Sequence, residues 1–435
     1  MKKINDNKIF SKTDICIIGL GYVGLPLLLA FQKISKLKVV GIDNEHKKIN
    51  YLKSGRSYIS DVKINKNQLK NLLFSVDINL IKNTKYIIIC LPTPLNKKKQ
   101  PDLSIVKNSL IAMVPFFKKG QTVILESTTY PGTTKELILP LIERSGLLVG
   151  KDIFLAFSPE RIDPGSKFKM SKIPKIIGAD DKKSLLNSKK IYELIFDKVH
   201  TINSSAVAEA TKLTENIFRS VNIALVNELK IIFDKMNINI WDVISLANTK
   251  PFGYMPFYPG PGLGGHCIPI DPYYLTWKAK QYGVNTQFIE LSGMINSSMP
   301  SYVVKNTLKA AKKYVKKDFL NLNILIIGVA YKKNTNDLRE SPAIEIIDQF
   351  RKKKINTNFY DPYIREIDSM RKYPHLSGKK RINLNKKNVS IADVVLIITD
   401  HSNINYSIIS KYSKVIIDTR NRFKTNQTKA ILIKS

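Results

Sequence analysis

The chain has 435 residues, which is too long for one hydrophobic core of ordinary size and predicts two or three domains. Lysine and arginine outnumber aspartate and glutamate by 70 to 35, which gives a formal net charge of +35. The lysines are scattered and no basic-region or RNA-binding motif occurs, so the charge is interpreted as compositional. A non-enzymatic nucleotide-binding or nucleic-acid-binding protein is the alternative of another class, and the field would still attract a small anionic substrate.

The cysteines and the N-terminal region indicate the cellular compartment of the protein. Cys16, Cys90 and Cys267 form neither a disulfide framework nor a metal-binding C-x-x-C pair, which fits a reducing cytoplasm. Residues 1–14 are charged but lack the apolar centre of a signal peptide. No apolar run approaches the roughly 20 residues that cross a bilayer. We therefore expect a cytoplasmic protein that binds no membrane, no nucleic acid and no metal.

The first part of the chain alternates short apolar strands with helices. Such alternation is typical of a parallel, doubly wound sheet, so residues 1–201 are assigned to a Rossmann domain. A helix is predicted at 25–33. The predicted strands lie at 14–18, 38–42, 86–91 and 122–125.

The middle of the chain has a different residue pattern. No glycine or proline occurs between Gly178 and Pro251, and apolar residues recur at helical spacing from Ala206 to about Lys235. This predicts one long helix, capped by Ser204 or Ser205. Its apolar stripe packs either inside its own chain or against a second copy, and the pattern leaves both open. Residues 202–312 are assigned to a helical central domain, in which the stretch 251–272, rich in glycine, proline and aromatic residues, is predicted to be a loop.

Strand–helix alternation returns in the last third. Strands are predicted at 324–327, 358–360, 394–399 and 415–417, and Ser341-Pro342 is predicted as the cap and first residue of a helix. Residues 313–435 are therefore assigned to a second, smaller Rossmann-like domain. The expected fold class is α/β, with two doubly wound domains joined by a helical domain that contains a long spine helix.

A glycine-rich turn opens the predicted helix after the first strand. Gly19, Gly21 and Gly24 form the pattern GxGxxG, with Tyr22 and Val23 between the second and third glycines. The first glycine permits the tight turn, the second lets a pyrophosphate approach, and the third lets helix and strand pack closely. The helix N-terminus offers N–H groups and a partial positive charge to the phosphates. The turn therefore predicts a dinucleotide cofactor.

The end of the second predicted strand indicates which dinucleotide is bound. Asp43 closes that strand about 20 residues after the turn, where a carboxylate accepts hydrogen bonds from the adenosine ribose. A carboxylate at this point would repel a 2′-phosphate, so NAD is favoured over NADP. Lys47 and Lys48 lie close by and weaken that preference, and Lys48 is counted among the cofactor contacts.

Cys267 is the candidate nucleophile. It follows Gly264-Gly265-His266 in the glycine- and proline-rich loop, where the backbone stays accessible to a ligand. A protonated His266, or Lys212 if the fold brings it near, would make the thiol more reactive. A buried structural cysteine is the alternative, and it fits Cys16 and Cys90 better. Lys212 lies one helical turn from Asn216 on the long helix, so the two side chains share one face. The polar stripe that they form could also be a solvated face.

The chain resembles the UDP-glucose/GDP-mannose dehydrogenase family along nearly its whole length. His266 and the segment after Cys267 are similar to the branch that acts on UDP-N-acetylhexosamines. UDP-N-acetylglucosamine is the expected substrate, with UDP-N-acetylgalactosamine, UDP-N-acetylmannosamine and UDP-glucose left open. The shared motifs are GLGYVGLP (19–26), PTPL (92–95), ESTTYPGTT (126–134), FSPERIDPG (157–165), AEATKLTENIFRSVNIALVNE (208–228), PFYPGPGLGGHCIPIDP (256–272) and AYKKNTNDLRESPA (330–343).

The resemblance implies a four-electron oxidation of the sugar C6 hydroxyl to a carboxylate, with two NAD and one water consumed. Cys267 matches the nucleophile that forms a thiohemiacetal and then a thioester, and Lys212 matches the residue that stabilises the oxyanions. A one-step hydroxyacid-type dehydrogenase, which needs the helix lysine but no cysteine, is a further alternative. The other catalytic matches are Asn216, the partner of Lys212; Asp271, which positions Lys212 and the water; Glu160, a candidate general acid/base; and Thr128, which holds the water.

Further positions match cofactor or substrate contacts of the family. The family is commonly a homodimer built on the long helix, and a surface-polysaccharide pathway is the expected consumer of the product. Glucose-type members place an arginine just before the loop, where this chain has Lys250. The implied cofactor contacts are Tyr22, Val23, Thr93, Thr128 and Arg339. The implied substrate contacts are Glu160, Arg161, Lys212, Asn216, Tyr254, Phe257, Tyr258, Gly264, Tyr331 and Lys332.

Overall fold

A computed structural model describes residues 13–435, except 35, 60–61, 65–68, 70–71, 163–167, 266–267, 371 and 425–426. The predicted nucleophile Cys267 and its neighbour His266 therefore lie outside the described residues. The contacts within the chain define two compact units. The first comprises the chain up to Glu215 together with Tyr273–Asn285, and the second comprises Asn216–Pro272 and Thr286–Ser435.

The first unit is built on a sheet of eight strands within the described part of the chain, in the order β3-β2-β1-β4-β5-β6-β7-β8. Neighbouring strands are parallel, except that β6 and β7 are antiparallel. The predicted doubly wound parallel sheet is confirmed. The strands are β1 (Thr13–Ile18), β2 (Val39–Ile42), β3 (Leu72–Ser75), β4 (Thr84–Ile89), β5 (Thr122–Leu125), β6 (Phe154–Phe157), β7 (Lys175–Gly178) and β8 (Val199–Ile202).

Helices cover both faces of this sheet. Successive residues of a strand point to opposite faces, so Ile15 and Ile17 belong to one apolar core and Cys16 and Ile18 to the other. Cys16 and Cys90 are both buried, and burial raises the pKa of each thiol. Both therefore act as small core residues, as the sequence indicates. The helices are α1 (Gly24–Gln32), α2 (His46–Lys53), α3 (Ser104–Met113), α4 (Leu139–Glu143) and α5 (Lys182–Tyr192).

The predicted long helix is present as α6 (Ser205–Lys235), and it is followed by α7 (Ile240–Ala247), α8 (Asp271–Gln281) and α9 (Gln287–Ala310). Ser204 is the cap of α6, because its hydroxyl oxygen accepts the Val207 N–H at 3.2 Å. The loop predicted at 251–272 is too long by two residues, since Asp271 and Pro272 already belong to α8. Proline fits there because the first turn of a helix needs no bonded N–H.

The second unit contains a five-stranded parallel sheet in the order β10-β9-β11-β12-β13. Ser341 caps α10 through the Ala343 N–H, with Pro342 as the first helical residue, as predicted. The α/β fold class is therefore confirmed. The elements are β9 (Asn323–Ile327), α10 (Pro342–Lys352), β10 (Asn356–Tyr360), α11 (Lys386–Ile391), β11 (Val394–Ile397), α12 (Tyr406–Tyr412), β12 (Val415–Asp418) and β13 (Ile431–Lys434).

Each sheet contains a point where the strand order reverses. In the first sheet it lies between β1 and β4, and in the second between β9 and β11. Open α/β sheets bind ligands at the carboxyl ends of the strands beside such a point. Two ligand edges are therefore expected, one in each unit. Among the described residues, no helix combines the length and hydrophobicity that crossing a bilayer requires.

Candidate active site

The glycine turn lies at the reversal point of the first sheet. Gly19 has φ +90, and a Cβ on Gly24 would lie 1.9 Å from the Gly19 carbonyl oxygen, so neither position accepts a side chain. A Cβ on Gly21 would meet no atom within 4 Å. Val23, the residue before α1, donates no side-chain cap to the helix. Open space at the second glycine and an uncapped helix N-terminus fit a pyrophosphate, as NAD requires.

Asp43 is buried beside this turn. Its Oδ2 accepts the Leu20 N–H and its Oδ1 accepts the Glu45 N–H, each at 3.0 Å. Lys48 lies 2.9 Å from Glu45 and 3.8 Å from Asp43, so its charge is shared between two carboxylates. Tyr58, which the sequence did not single out, donates its hydroxyl to the Leu20 carbonyl. The carboxylate that is predicted to select NAD is thus held by main-chain N–H groups of the glycine turn and of Glu45.

Two predicted threonines lie at the same edge of the sheet. Thr93 follows β4 and is buried, and its carbonyl accepts the Tyr274 hydroxyl at 3.0 Å. Thr128 follows β5 and is half-buried. Because β4 neighbours both β1 and β5, these residues and the glycine turn all follow carboxyl ends of adjacent strands.

The structure brings Lys212 and Glu160 together within the first unit. Lys212 is buried, and its Nζ donates to the main-chain carbonyl of Glu160 at 2.5 Å. One carboxylate oxygen of Glu160 accepts the Ile162 N–H. Arg161 pairs with Glu215, with Nη2 2.6 Å from Oε1. The guanidinium predicted to contact the substrate therefore has a protein partner in this structure.

A buried charge cluster adjoins Glu160. Lys175 Nζ lies 3.1 Å from Glu126 Oε1 and 3.5 Å from Glu160 Oε2, and Tyr192 donates its hydroxyl to Glu126. The sequence did not single out Lys175 or Glu126. A lysine inside the apolar strand KIIG was the signal that could have identified the cluster, because such a lysine needs a buried partner.

Glu209 on α6 was also missed. It is fully buried, and its carboxyl group accepts N–H groups from Gly132 at 2.6 Å and Thr134 at 2.8 Å, as well as the Thr134 hydroxyl at 2.7 Å. Burial raises its pKa to about 7, although these hydrogen bonds oppose the shift. Glu209 thus ties the ESTTYPGTT segment to the long helix.

In the second unit, the predicted site residues Asn216 and Asp271 are hydrogen-bonded to each other. Asn216 Nδ2 donates to Asp271 Oδ2 at 2.5 Å, and Asp271 is buried. This bond joins α6 to the first residue of α8. Lys212 lies one turn before Asn216 on the continuous helix.

Aromatic residues of the loop pack on the helices of the second unit. Phe257 packs edge-on against Phe218 of α6, and Tyr258 stacks on Trp241 of α7 with ring centroids 5.7 Å apart. Tyr254 is exposed. The rings of Phe257 and Tyr258 therefore each pack against a helix and anchor the loop there.

The glycines before Cys267 lie against a predicted UDP contact. A Cβ on Gly264 would lie 2.6 Å from the Cβ of Tyr331, and the Gly265 N–H donates to the Arg339 carbonyl at 3.0 Å. The Arg339 guanidinium pairs with Asp337 at 2.6 Å, and Lys332 is half-buried. The structure thus brings Gly264 and Tyr331 together, while the predicted NAD contact of Arg339 stays a prediction.

Polar residues at the edge of the second sheet were missed. Arg420 follows β12, and a Cβ on Gly260 would lie 2.6 Å from its guanidinium. His401 and Asp361 are fully buried and hydrogen-bonded at 3.0 Å, and His401 Nδ1 accepts the Asn334 N–H at 2.9 Å. Their signal in the sequence is a polar or charged residue within a few positions after the end of a strand, where such sheets bind ligands.

Comparison with known proteins identifies the family of the chain. Family models match the chain in three stretches: the NAD binding domain of the UDP-glucose/GDP-mannose dehydrogenase family at residues 13–196, its central domain at 206–298 and its UDP binding domain at 325–425. The UDP-N-acetyl-D-glucosamine 6-dehydrogenase of Pseudomonas aeruginosa is 37% identical, over 82% of this chain and 85% of that protein.

Mannosamine enzymes are similar as well. The UDP-N-acetyl-D-mannosamine dehydrogenase of Methanococcus aeolicus is 32% identical, over 98% of this chain and 94% of that protein. The solved UDP-D-ManNAc dehydrogenase of Pyrococcus horikoshii superposes with a TM-score of 0.86 at 33% identity, over 97% of this chain and 98% of its own. The resemblance found in the sequence is confirmed: the chain belongs to the UDP-glucose/GDP-mannose dehydrogenase family and is an NAD-dependent UDP-sugar dehydrogenase.

Proposed function

We propose that this protein oxidises UDP-N-acetylglucosamine at C6 to the uronic acid, in two oxidations on one active site. The observation that carries the chemistry is the buried Lys212, whose ammonium lies against Glu160. A fixed cation in a dry site stabilises developing oxyanions. A surface-polysaccharide pathway is the proposed consumer of the product.

The glycine turn, Asp43 and Thr93 are proposed to hold the cofactor. Bound NAD supplies the hydride acceptor for both oxidations. In the first oxidation the C6 hydroxyl gives its proton to Glu160, while Lys212 stabilises the developing alkoxide and the aldehyde forms. Thr128 and Asp271 are proposed to hold the water used later.

The second oxidation requires a covalent step, for which Cys267 is proposed. Its thiolate adds to the aldehyde carbon, and Lys212 stabilises the oxyanion of the resulting thiohemiacetal. Departure of the second hydride gives a thioester. Water adds to the thioester carbon, the C–S bond breaks, and the carboxylate and free thiol are released. One sugar therefore consumes two NAD and one water.

UDP-N-acetylglucosamine and UDP-N-acetylmannosamine are the two main candidate substrates. Glucosamine is favoured by the 37% identity to the P. aeruginosa enzyme, and mannosamine by the archaeal relatives that match almost the whole chain. The test is the rate of NADH formation, measured as kcat/KM, and the yield of NADH from UDP-N-acetylglucosamine, its galactosamine and mannosamine counterparts, and UDP-glucose. A higher kcat/KM with any other sugar than with UDP-N-acetylglucosamine would overturn the choice of substrate and leave the chemistry standing.

The stoichiometry tests the chemistry. We expect two NADH per sugar from the wild-type protein, and a Cys267→Ala variant that loses the second oxidation by at least about 100-fold. Cys16→Ala, in which a buried core cysteine is changed, is the matched control and should keep both oxidations. One NADH per sugar from the wild type, or full activity of Cys267→Ala, would exclude the proposed mechanism.

A further inference from the structure

Lys175 is a buried cation with a specific set of partners. Only 2% of its side chain is exposed. Its Nζ lies 3.1 Å from Glu126 Oε1 and 3.5 Å from Glu160 Oε2, and it donates to the Pro159 carbonyl at 3.2 Å. An ammonium group is kept so far from water only when opposite charges and hydrogen bonds compensate its lost hydration.

The sheet explains how Lys175 reaches Glu160. Strand β7 runs antiparallel to β6, with Phe157 opposite Gly178. The same register, continued past the end of β6, places Glu160 opposite Lys175, the first residue of β7. Glu126 arrives at the same edge because it directly follows β5, the other neighbour of β6.

Glu160 is fixed at three atoms. Its Oε1 accepts the Ile162 N–H, its Oε2 faces Lys175, and its main-chain carbonyl accepts the Lys212 ammonium. Donors at both carboxylate oxygens fix the orientation of the carboxyl group. Each oxygen keeps a second lone pair for an incoming proton.

Glu126 serves as the anchor of the cluster. Its Oε1 is shared by Lys175 and the Tyr192 hydroxyl, whereas Oε2 is buried without a hydrogen-bond partner among the described residues. Burial raises the pKa of Glu126, although the ammonium opposes the shift.

No second cation was found in contact with Glu126 among the described residues, and the remaining groups around Lys175 are neutral or aromatic. Burial raises the pKa of Cys90 and Tyr192, so both face the cluster as a thiol and a phenol. Lys175 Nζ also lies 5.1 Å from the ring centre of Tyr192 and 5.4 Å from that of Phe196. Lys175 is therefore the ammonium that faces the Glu160 carboxylate, whereas Lys212 contacts the Glu160 main chain.

We propose that Lys175 is a positioning residue for the oxidation: anchored on Glu126, it holds Glu160 as an oriented carboxylate that accepts the proton of the sugar hydroxyl. It also keeps in place the main-chain carbonyl that receives Lys212. The inference rests on the proposed role of Glu160, and Lys175 itself takes no part in bond making.

The first test removes the cation. Lys175→Met keeps the length of the side chain and should lower kcat by about 10- to 100-fold, with KM for the UDP-sugar changed by less than about threefold. Without the ammonium the carboxylate is less favoured, so the acid limb of the kcat profile should move to higher pH. Lys175→Arg keeps the charge and should restore most of kcat and the wild-type limb. Unchanged kcat and limb in Lys175→Met would overturn the proposal.

A second variant covers the case in which Lys175→Met fails to fold with two buried carboxylates left uncompensated. The double variant Lys175→Met/Glu126→Gln removes one positive and one negative charge, and should fold. The proposal expects it to keep the low kcat and the displaced acid limb. If the double variant regains wild-type kcat and pH profile, Lys175 only neutralises Glu126, and the proposal is wrong.

A double-mutant cycle separates this inference from the proposed function. If Lys175 acts through Glu160, Lys175→Met should lower kcat by less than about threefold further in a Glu160→Gln background. If Glu160→Gln alone keeps full activity, the proposed role of Glu160 fails. If Glu160→Gln is inactive while Lys175→Met behaves as wild type, the proposed function stands and the inference about Lys175 is overturned.

Discussion

At the glycine turn, one added methyl group should produce two different defects. Gly21 faces open space, so Gly21→Ala should leave the free energy of unfolding within about 0.5 kcal/mol of wild type and weaken NAD binding by at least about tenfold. Gly24→Ala would place its Cβ 1.9 Å from the Gly19 carbonyl oxygen, and should weaken binding and stability together. NAD titration and urea unfolding of both variants provide the measurement. Wild-type NAD affinity in Gly21→Ala would show that the pyrophosphate does not approach this residue.

Among single residues, a sequence reveals some site residues and not others. The predicted site residues Gly19, Asp43 and Lys212 lie in sequence motifs, so residue type and spacing identify them. Lys175 and Glu209 depend on neighbours that are distant in sequence: Lys175 on the register of β6 and β7, and Glu209 on a loop that returns to α6. One buried lysine in a strand indicates that a partner exists, but only the pairing of strands identifies the partner.

At the scale of elements, Glu209 makes the attachment of α6 sensitive to pH. Its pKa is raised from 4.5 to about 7, so folding favours the protonated form. The stability that this preference contributes is complete below about pH 4.5 and is lost as pH rises through 7. Glu209→Gln has no proton to lose. The difference in unfolding free energy should therefore shift in favour of the variant by about 3 kcal/mol between pH 4.5 and 8.

Urea unfolding of both proteins across that range measures the shift. Glu193→Gln, at the exposed residue that follows α5, is the matched control and should not reproduce this shift. A difference between wild type and Glu209→Gln that stays constant, or that moves in favour of the wild type, would mean that the carboxyl group is ionised throughout the range.

Element prediction succeeded for several strands that are buried on both faces. Strands such as β5 and β9 are covered on both faces, so their sequences TVIL and ILII are continuous apolar runs. The strands β3, β6, β7, β8 and β13 were missed. Among them, β8 and β13 lie at sheet edges, and their sequences VHTI and ILIK are short and partly exposed. The two residues at the start of α8 were assigned to the loop, because proline is a weak guide to where a helix begins.

At the scale of the whole molecule, a formal charge of +35 opposes the association of two copies of the chain. Like charges repel, so two copies would associate only through an apolar surface strong enough to overcome that repulsion. Helix α6 offers such a surface. Phe218, Leu225 and Ile232 recur every seven residues, lie close to one face, and are 50%, 51% and 45% exposed.

We therefore predict a homodimer that associates through this stripe and is strengthened by salt, which screens the repulsion. Leu225→Asp introduces a charge on both copies of a symmetric interface and should weaken dimerisation by at least about 100-fold. Leu320→Asp makes the same change at a leucine that is 64% exposed outside the helix, and should leave the dimer intact. Light scattering coupled to gel filtration, at two protein and two salt concentrations, gives the mass. A monomeric wild type, or a Leu225→Asp variant that dimerises as strongly as Leu320→Asp, would show that the stripe serves another purpose.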